Sequence, residues 1–108
     1  MAIARAVRFI WEHYPDAIGT PEVAAAAGLS RRTLERGFLK HLGQSVNHEI
    51  TQVRVERAKQ MLLGTKLRAH EVALQCGFSD VVHLSKAFHR LTGIRPSRFR
   101  RQQQGHTP

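Results

Sequence analysis

The sequence predicts an all-α fold of about seven helices, built as two similar subdomains joined by one long connector helix. Three observations carry that prediction. Strand-type alternation of apolar and polar residues is nearly absent. The long segments are rich in alanine, leucine, arginine and glutamate, all good helix formers. One pattern of residues also occurs twice: Glu22-Val23-Ala24 recurs as Glu71-Val72-Ala73, and Ala27-Gly28-Leu29-Ser30 as Cys76-Gly77-Phe78-Ser79. After one extra residue, Leu34, Phe38 and Gly43 recur as Leu84, Phe88 and Gly93, while the basic Arg36 and Lys40 recur as Lys86 and Arg90. Two copies make a duplicated module, not a solenoid.

The first helix is expected from about Ala2 to Tyr14, with Ile3, Val7, Ile10 and Tyr14 on one face, ending before Pro15. Thr20 is a good N-cap for a second helix that runs to Ala27, with Pro21 and Glu22 suited to its first turn. Gly28 supplies a turn, and Ser30 caps a third helix reaching about Leu42 before Gly43. Ser45 opens the longest segment, which runs through Ile50, Val53, Ala58, Met61 and Leu62 to Gly64. A short helix follows from about Arg68 to Cys76, and Gly77 is the next turn. Ser79 with Asp80 begins a helix ending near Thr92, and Pro96 starts a last turn through Phe99 and Arg100. The tail from Gln102 to Pro108 has no apolar anchor and is expected to fray. The implied organisation is a first subdomain at 1–44, a connector at 45–64, a second subdomain at 65–101 and a tail at 102–108.

Composition narrows the function. A chain of 108 residues with 42% apolar and 23% charged residues can bury a small core without metal or disulfide. Seventeen Lys+Arg against eight Asp+Glu leave +9 with histidine neutral, an excess that attracts polyanions, nucleic acid foremost. The single cysteine, Cys76, allows no internal disulfide and no metal-ligand pair, which suits a reducing compartment. No run of 18 apolar residues and no signal-peptide core occur, so a soluble cytoplasmic protein without a membrane partner is expected.

Each repeat reads as a helix-turn-helix in a homeodomain-like setting: a short helix of small residues, a glycine turn, an apolar plug, a serine cap, then a longer basic helix. Ala24 and Ala73 permit close crossing, while Leu34/Phe38 and Leu84/Phe88 seal the inner face of the second helix. Its outer face then meets a major groove. In the first copy Arg31, Arg32, Glu35 and Arg36 are the candidate base contacts, since arginine can bond guanine O6 and N7 and glutamate can accept from cytosine N4. In the second copy Val81, Val82, Ser85 and Lys86 take those places, the valines against thymine methyls. Ser30, Thr33, Lys40, Ser79, His83 and Arg90 are the candidate phosphate contacts. The spacing equally allows Glu35 to form a helix-surface ion pair with Arg31 or Arg32, and allows Val81 and Val82 to be packing residues. A continuous connector from Ser45 to Gly64 would span roughly 30 Å, close to the repeat of about 34 Å between successive major grooves.

These residues resemble the AraC/XylS family of transcription regulators over nearly the whole chain, from about Ile3 to Arg100. The first unit is similar in Glu22-Val-Ala-Ala-Ala-Ala-Gly-Leu-Ser30, Leu34-Glu-Arg-Gly-Phe38 and Leu42-Gly43, and the connector in Arg54-Val-Glu-Arg-Ala58 and Met61-Leu-Leu63. The most specific stretch is Glu71-Val-Ala-Leu-Gln-Cys-Gly-Phe-Ser79, Leu84-Ser-Lys-Ala-Phe88, Gly93 and Pro96-Ser-Arg-Phe-Arg100. Ser30 to Arg36 with His48-Glu49-Ile50 is similar to the xylose-operon regulators within the family. The resemblance implies regulation of transcription initiation, usually activation and here of sugar-utilisation genes, with two recognition helices in neighbouring grooves and RNA polymerase as a further partner. It also implies an effector-binding domain absent from these 108 residues, so a fragment of a longer regulator is expected, with a stand-alone small regulator as the alternative. The chain departs from the pattern in four places: Gly37 in mid-helix, Arg68 in place of a serine-like cap, Asn47-His48 in place of an aromatic-bearing run, and Arg95 before Pro96.

Catalysis is not expected, and neither is a cofactor. The seven histidines (13, 41, 48, 70, 83, 89 and 106) show no metal spacing, and no phosphate loop, nucleophile elbow or carboxylate pair occurs. An RNA-binding protein is the nearest rival, although the five phenylalanines fall at core-type positions and not on a stacking surface. A helix-turn-helix used only for protein contacts is a third reading.

Overall fold

A computed structural model describes residues 1–104. They form seven helices and no strand: α1 (Ala2–His13), α2 (Thr20–Ala27), α3 (Arg31–Leu42), α4 (Val46–Gly64), α5 (Ala69–Gln75), α6 (Val81–Thr92) and α7 (Pro96–Gln104). The chain divides into two compact units, Met1–Val53 and the part from Arg54 onward.

The first unit packs α1, α2, α3 and the start of α4 around Ala6, Ile10, Val23, Ala27, Leu34, Phe38, Val46, Ile50 and Val53, with Ile3, Val7 and Leu29 half-buried at its edge. Leu34 and Phe38, one turn apart, present one face of α3 to this core and leave the opposite face to solvent. The second unit repeats the scheme around Val55, Ala58, Leu62, Val72, Ala73, Cys76, Phe78, Leu84 and Phe88. Phe99 of α7 closes that core, its ring edge-on to Phe88 with centroids 5.3 Å apart. Arg100, also on α7, donates to the carbonyls of Leu62 (3.0 Å), Leu67 (2.6 Å) and Thr65 (3.2 Å), fixing the end of α4 and the loop after it. The only cysteine is buried here. Burial pushes the Cys76 thiol up to about 11, with the charge of Arg57 pulling the other way.

The two turns are built alike. Gly28 and Gly77 both have positive φ, at 71° and 94°, a region that strains any residue with a Cβ. The next residue donates back across the turn in each case: Leu29 N–H to the Ala24 carbonyl at 3.0 Å, and Phe78 N–H to the Ala73 carbonyl at 2.9 Å. The sequence repeat is therefore a repeat of hydrogen bonds.

Four details differ from the sequence expectation. Gly19, not Thr20, caps α2; the Glu22 carboxylate accepts from the Gly19 N–H at 2.8 Å, and Thr20 is already helical. Asp80, not Ser79, caps α6, accepting from the His83 N–H at 2.8 Å. Asp80 is thus the extra residue of the second copy, occupying the cap position that Ser30 holds in the first. Gln102, Gln103 and Gln104 continue α7, since glutamine is a good helix former and no breaker precedes Gly105; residues 105–108 lie outside the described residues. Finally, Gly37 has a packing reason, because a Cβ there would lie 2.4 Å from Ile3 Cδ1. Arg68 gives α5 no side-chain cap, as expected, but Glu71 reaches back to its N–H at 3.0 Å.

Candidate nucleic-acid interface

The exposed face of α3 carries a row of cations. Arg31, Arg32, Arg36 and Lys40 are all exposed, and Arg32, Arg36 and Lys40 follow one another at four-residue intervals along the helix. None of the four forms an ion pair with a carboxylate among the described residues. The helix start is fixed by Ser30, whose hydroxyl accepts from the Thr33 N–H at 3.1 Å and donates to the Thr33 hydroxyl at 2.9 Å. Ser30 and Thr33, both exposed, therefore sit at the entrance of α3 beside the arginines.

Glu35 lies on the same helix in a different environment. It is half-buried, and its Oε1 accepts from the Val46 N–H at 3.2 Å and from the Thr20 hydroxyl at 3.5 Å. The carboxylate thus meets the first turn of α4, where free amides and the helix dipole favour a negative charge. The ion pair with Arg31 or Arg32 that the spacing allows does not form among the described residues.

The second reading face is less charged. Val81 and Val82 are exposed at the start of α6, Val82 by 56%, so they are not core residues. Lys86 and Arg90 are exposed one turn apart. His83 rests edge-on against Phe78 with centroids 5.1 Å apart, and its Nδ1 lies 3.3 Å from the hydroxyl of the exposed Ser79. Ser85 is half-buried and accepts a hydrogen bond from Arg95 Nη1 at 3.3 Å. Sequence reasoning noted Arg95 only as a departure from a family pattern. Its approach to Ser85 depends on how the α6–α7 loop folds back, which no local pattern reveals.

Val81, Val82, Ser85 and Lys86 thus share the start and middle of one helix, as Arg31, Arg32 and Arg36 do in the first unit. Each set has a sealed apolar core behind it. No group of three or more His, Cys, Asp or Glu side chains that could hold a metal occurs among the described residues. No helix there is long and apolar enough to cross a membrane.

Comparison with known proteins agrees with this geometry. A family profile described as "Helix-turn-helix domain" matches residues 23–102. The HTH-type transcriptional regulator ArgR of Pseudomonas aeruginosa is 32% identical over 103 residues, covering 95% of this chain and 31% of that protein. The xylose operon regulatory protein of Escherichia coli is 26% identical over 99 residues, covering 92% of this chain and 25% of that protein. Among solved structures, the DNA-binding domain of the global transcriptional factor AdpA, in complex with a target DNA, superposes with a TM-score of 0.88 at 30% identity, with 97% of each chain covered. The chain spans about a third or less of the length of the curated relatives it matches.

Proposed function

The chain belongs to the AraC-type helix-turn-helix family of transcription regulators and is a DNA-binding module, not an enzyme; from that premise we propose that α3 and α6 are its two recognition helices. In this reading each enters a major groove of one duplex, the two grooves being neighbours. The observation that carries it is the row of exposed cations on α3, unpaired with carboxylates among the described residues and backed by a sealed core.

Arg31, Arg32 and Arg36 read bases in the first groove, and Val81, Val82, Ser85 and Lys86 in the second. Ser30, Thr33, Lys40, Ser79, His83 and Arg90 contact phosphates and set the register. We assign Glu35 first to holding α3 against α4, since Oε1 is engaged there; its second carboxylate oxygen is the one left for a cytosine amine. The role we propose is activation of a sugar-utilisation operon in the cytoplasm; the likeness to the xylose operon regulatory protein supports the sugar operon as target. Contact with RNA polymerase and control by an effector-binding domain complete the proposed role.

The test is a pair of titrations on a library of single-base-pair variants of the bound site. Arg36→Ala should lose about 1–3 kcal/mol on the preferred site and relax selectivity at one base pair. Equal weakening on every duplex would make Arg36 a phosphate contact, and stronger binding to RNA than to duplex DNA would overturn the function.

A further inference from the structure

We propose that the cleft between the end of α6 and the start of α7 is a DNA backbone-phosphate site, with Arg95, Arg98 and Arg101 as its cations. The inference rests on the duplex-DNA reading above and adds three cations that lie on neither recognition helix. The cleft has a volume of about 250 Å³ and is lined by His89, Ile94, Arg95, Ser97, Arg98 and Arg101, with no acidic side chain in its wall among the described residues.

Three arginines around one small concavity repel one another, and none of them is paired with a carboxylate among the described residues. An anion in the cleft would relieve that repulsion, and a phosphate matches the forked donors of guanidinium. The Ser97 and Arg98 amides, in the first turn of α7, add donors at the same rim.

Arg95 indicates which phosphate. Its Nη1 donates to Ser85 Oγ at 3.3 Å, so the cleft wall is continuous with the α6 face that carries Lys86. A duplex held against that face brings its own backbone to the cleft. The ligand is therefore a phosphodiester flanking the second half-site, not a free phosphate ion. Arg95 and Ser85 are ten residues apart in sequence, so their meeting belongs to this fold and not to one helix.

The experiment uses the full chain carrying Arg95→Ala with Arg98→Ala, and separately Arg98→Gln, which keeps most of the side-chain stem. Both positions are exposed, so the thermal melt should be unchanged. Binding is followed by fluorescence anisotropy against salt, on the selected duplex and on a scrambled one. The double variant should bind both duplexes about tenfold more weakly. Its plot of log affinity against log salt should be shallower by about 0.9 for each phosphate lost. Neutralising phosphates singly with methylphosphonate should reveal a flanking position that weakens the wild type and leaves the double variant unaffected.

If the wild type prefers its duplex but the variants keep its slope and affinity, the cleft proposal is overturned and the DNA reading stands. If the wild type shows no preference for duplex, both fall. Stabilisation of the wild type by inorganic phosphate, with unchanged DNA binding by the variants, would make the cleft a free-anion site and overturn the backbone assignment.

Discussion

Three backbone carbonyls at the end of α4 and in the loop after it converge on one guanidinium. Arg100 donates to Leu62, Thr65 and Leu67, supplying both hydrogen bonds and a positive charge where carbonyls at a helix end lack partners. Arg100→Ala should lower the stability of the second unit by about 2 kcal/mol in denaturant unfolding. Arg100→Lys should recover only part of this, because an ammonium cannot reproduce the planar fork. In the sequence Arg100 is visible only as one member of a motif, since its partners lie 33 to 38 residues away. Cys76 makes a second prediction. Its folded-state pKa of about 11 lies above the ordinary value of 9.0, so the folded chain keeps a proton that the unfolded chain has lost between those pH values. Unfolding then releases a proton, and stability should fall as pH rises from about 9 to about 11. Melting temperatures of the wild type and Cys76→Ala across that range check it; the wild type should show the steeper alkaline decline.

At the scale of the element, α1 lies against α3 at Gly37, and the contact explains a residue that looked unfavourable in the sequence. An alanine there gains helix propensity of up to about 1 kcal/mol but must displace the terminal methyl of the half-buried Ile3, which offsets that gain. Gly37→Ala should therefore be less favourable in the wild type than propensity alone gives, and more favourable in Ile3→Val, where Cδ1 is absent. Equal effects in both backgrounds, measured as a double-mutant cycle, would contradict the contact. Helix existence and most ends were readable because glycine, proline and serine punctuate the chain. Caps were less so. Thr20 looks like an N-cap, yet its hydroxyl is engaged by Glu35, and Glu22 satisfies the Gly19 amide instead. The connector shows another limit of pattern reading. Its buried positions follow one stripe at Val46, Ile50 and Val53 and another, out of phase, at Val55, Ala58 and Leu62, so no single stripe runs along its 19 residues.

For the whole molecule, two units with separate cores present two basic helices, and the chain carries a net charge of +9. The repeat made the two-unit plan legible, because the same buried residues recur with the same turn hydrogen bond. The candidate site was legible wherever it lies on one helix face, as with Arg32 and Arg36 or Val82 and Lys86. It was not legible where residues from different elements meet, as with Glu35 at Val46 or Arg95 at Ser85. The direct test that both helices read sequence is selection of bound duplexes from a random pool in moderate salt, followed by footprinting. Two short motifs separated by about one turn of DNA are expected, with Arg36→Ala blurring one and Lys86→Ala the other. A single motif insensitive to Lys86→Ala, or a pool without enrichment, would contradict it.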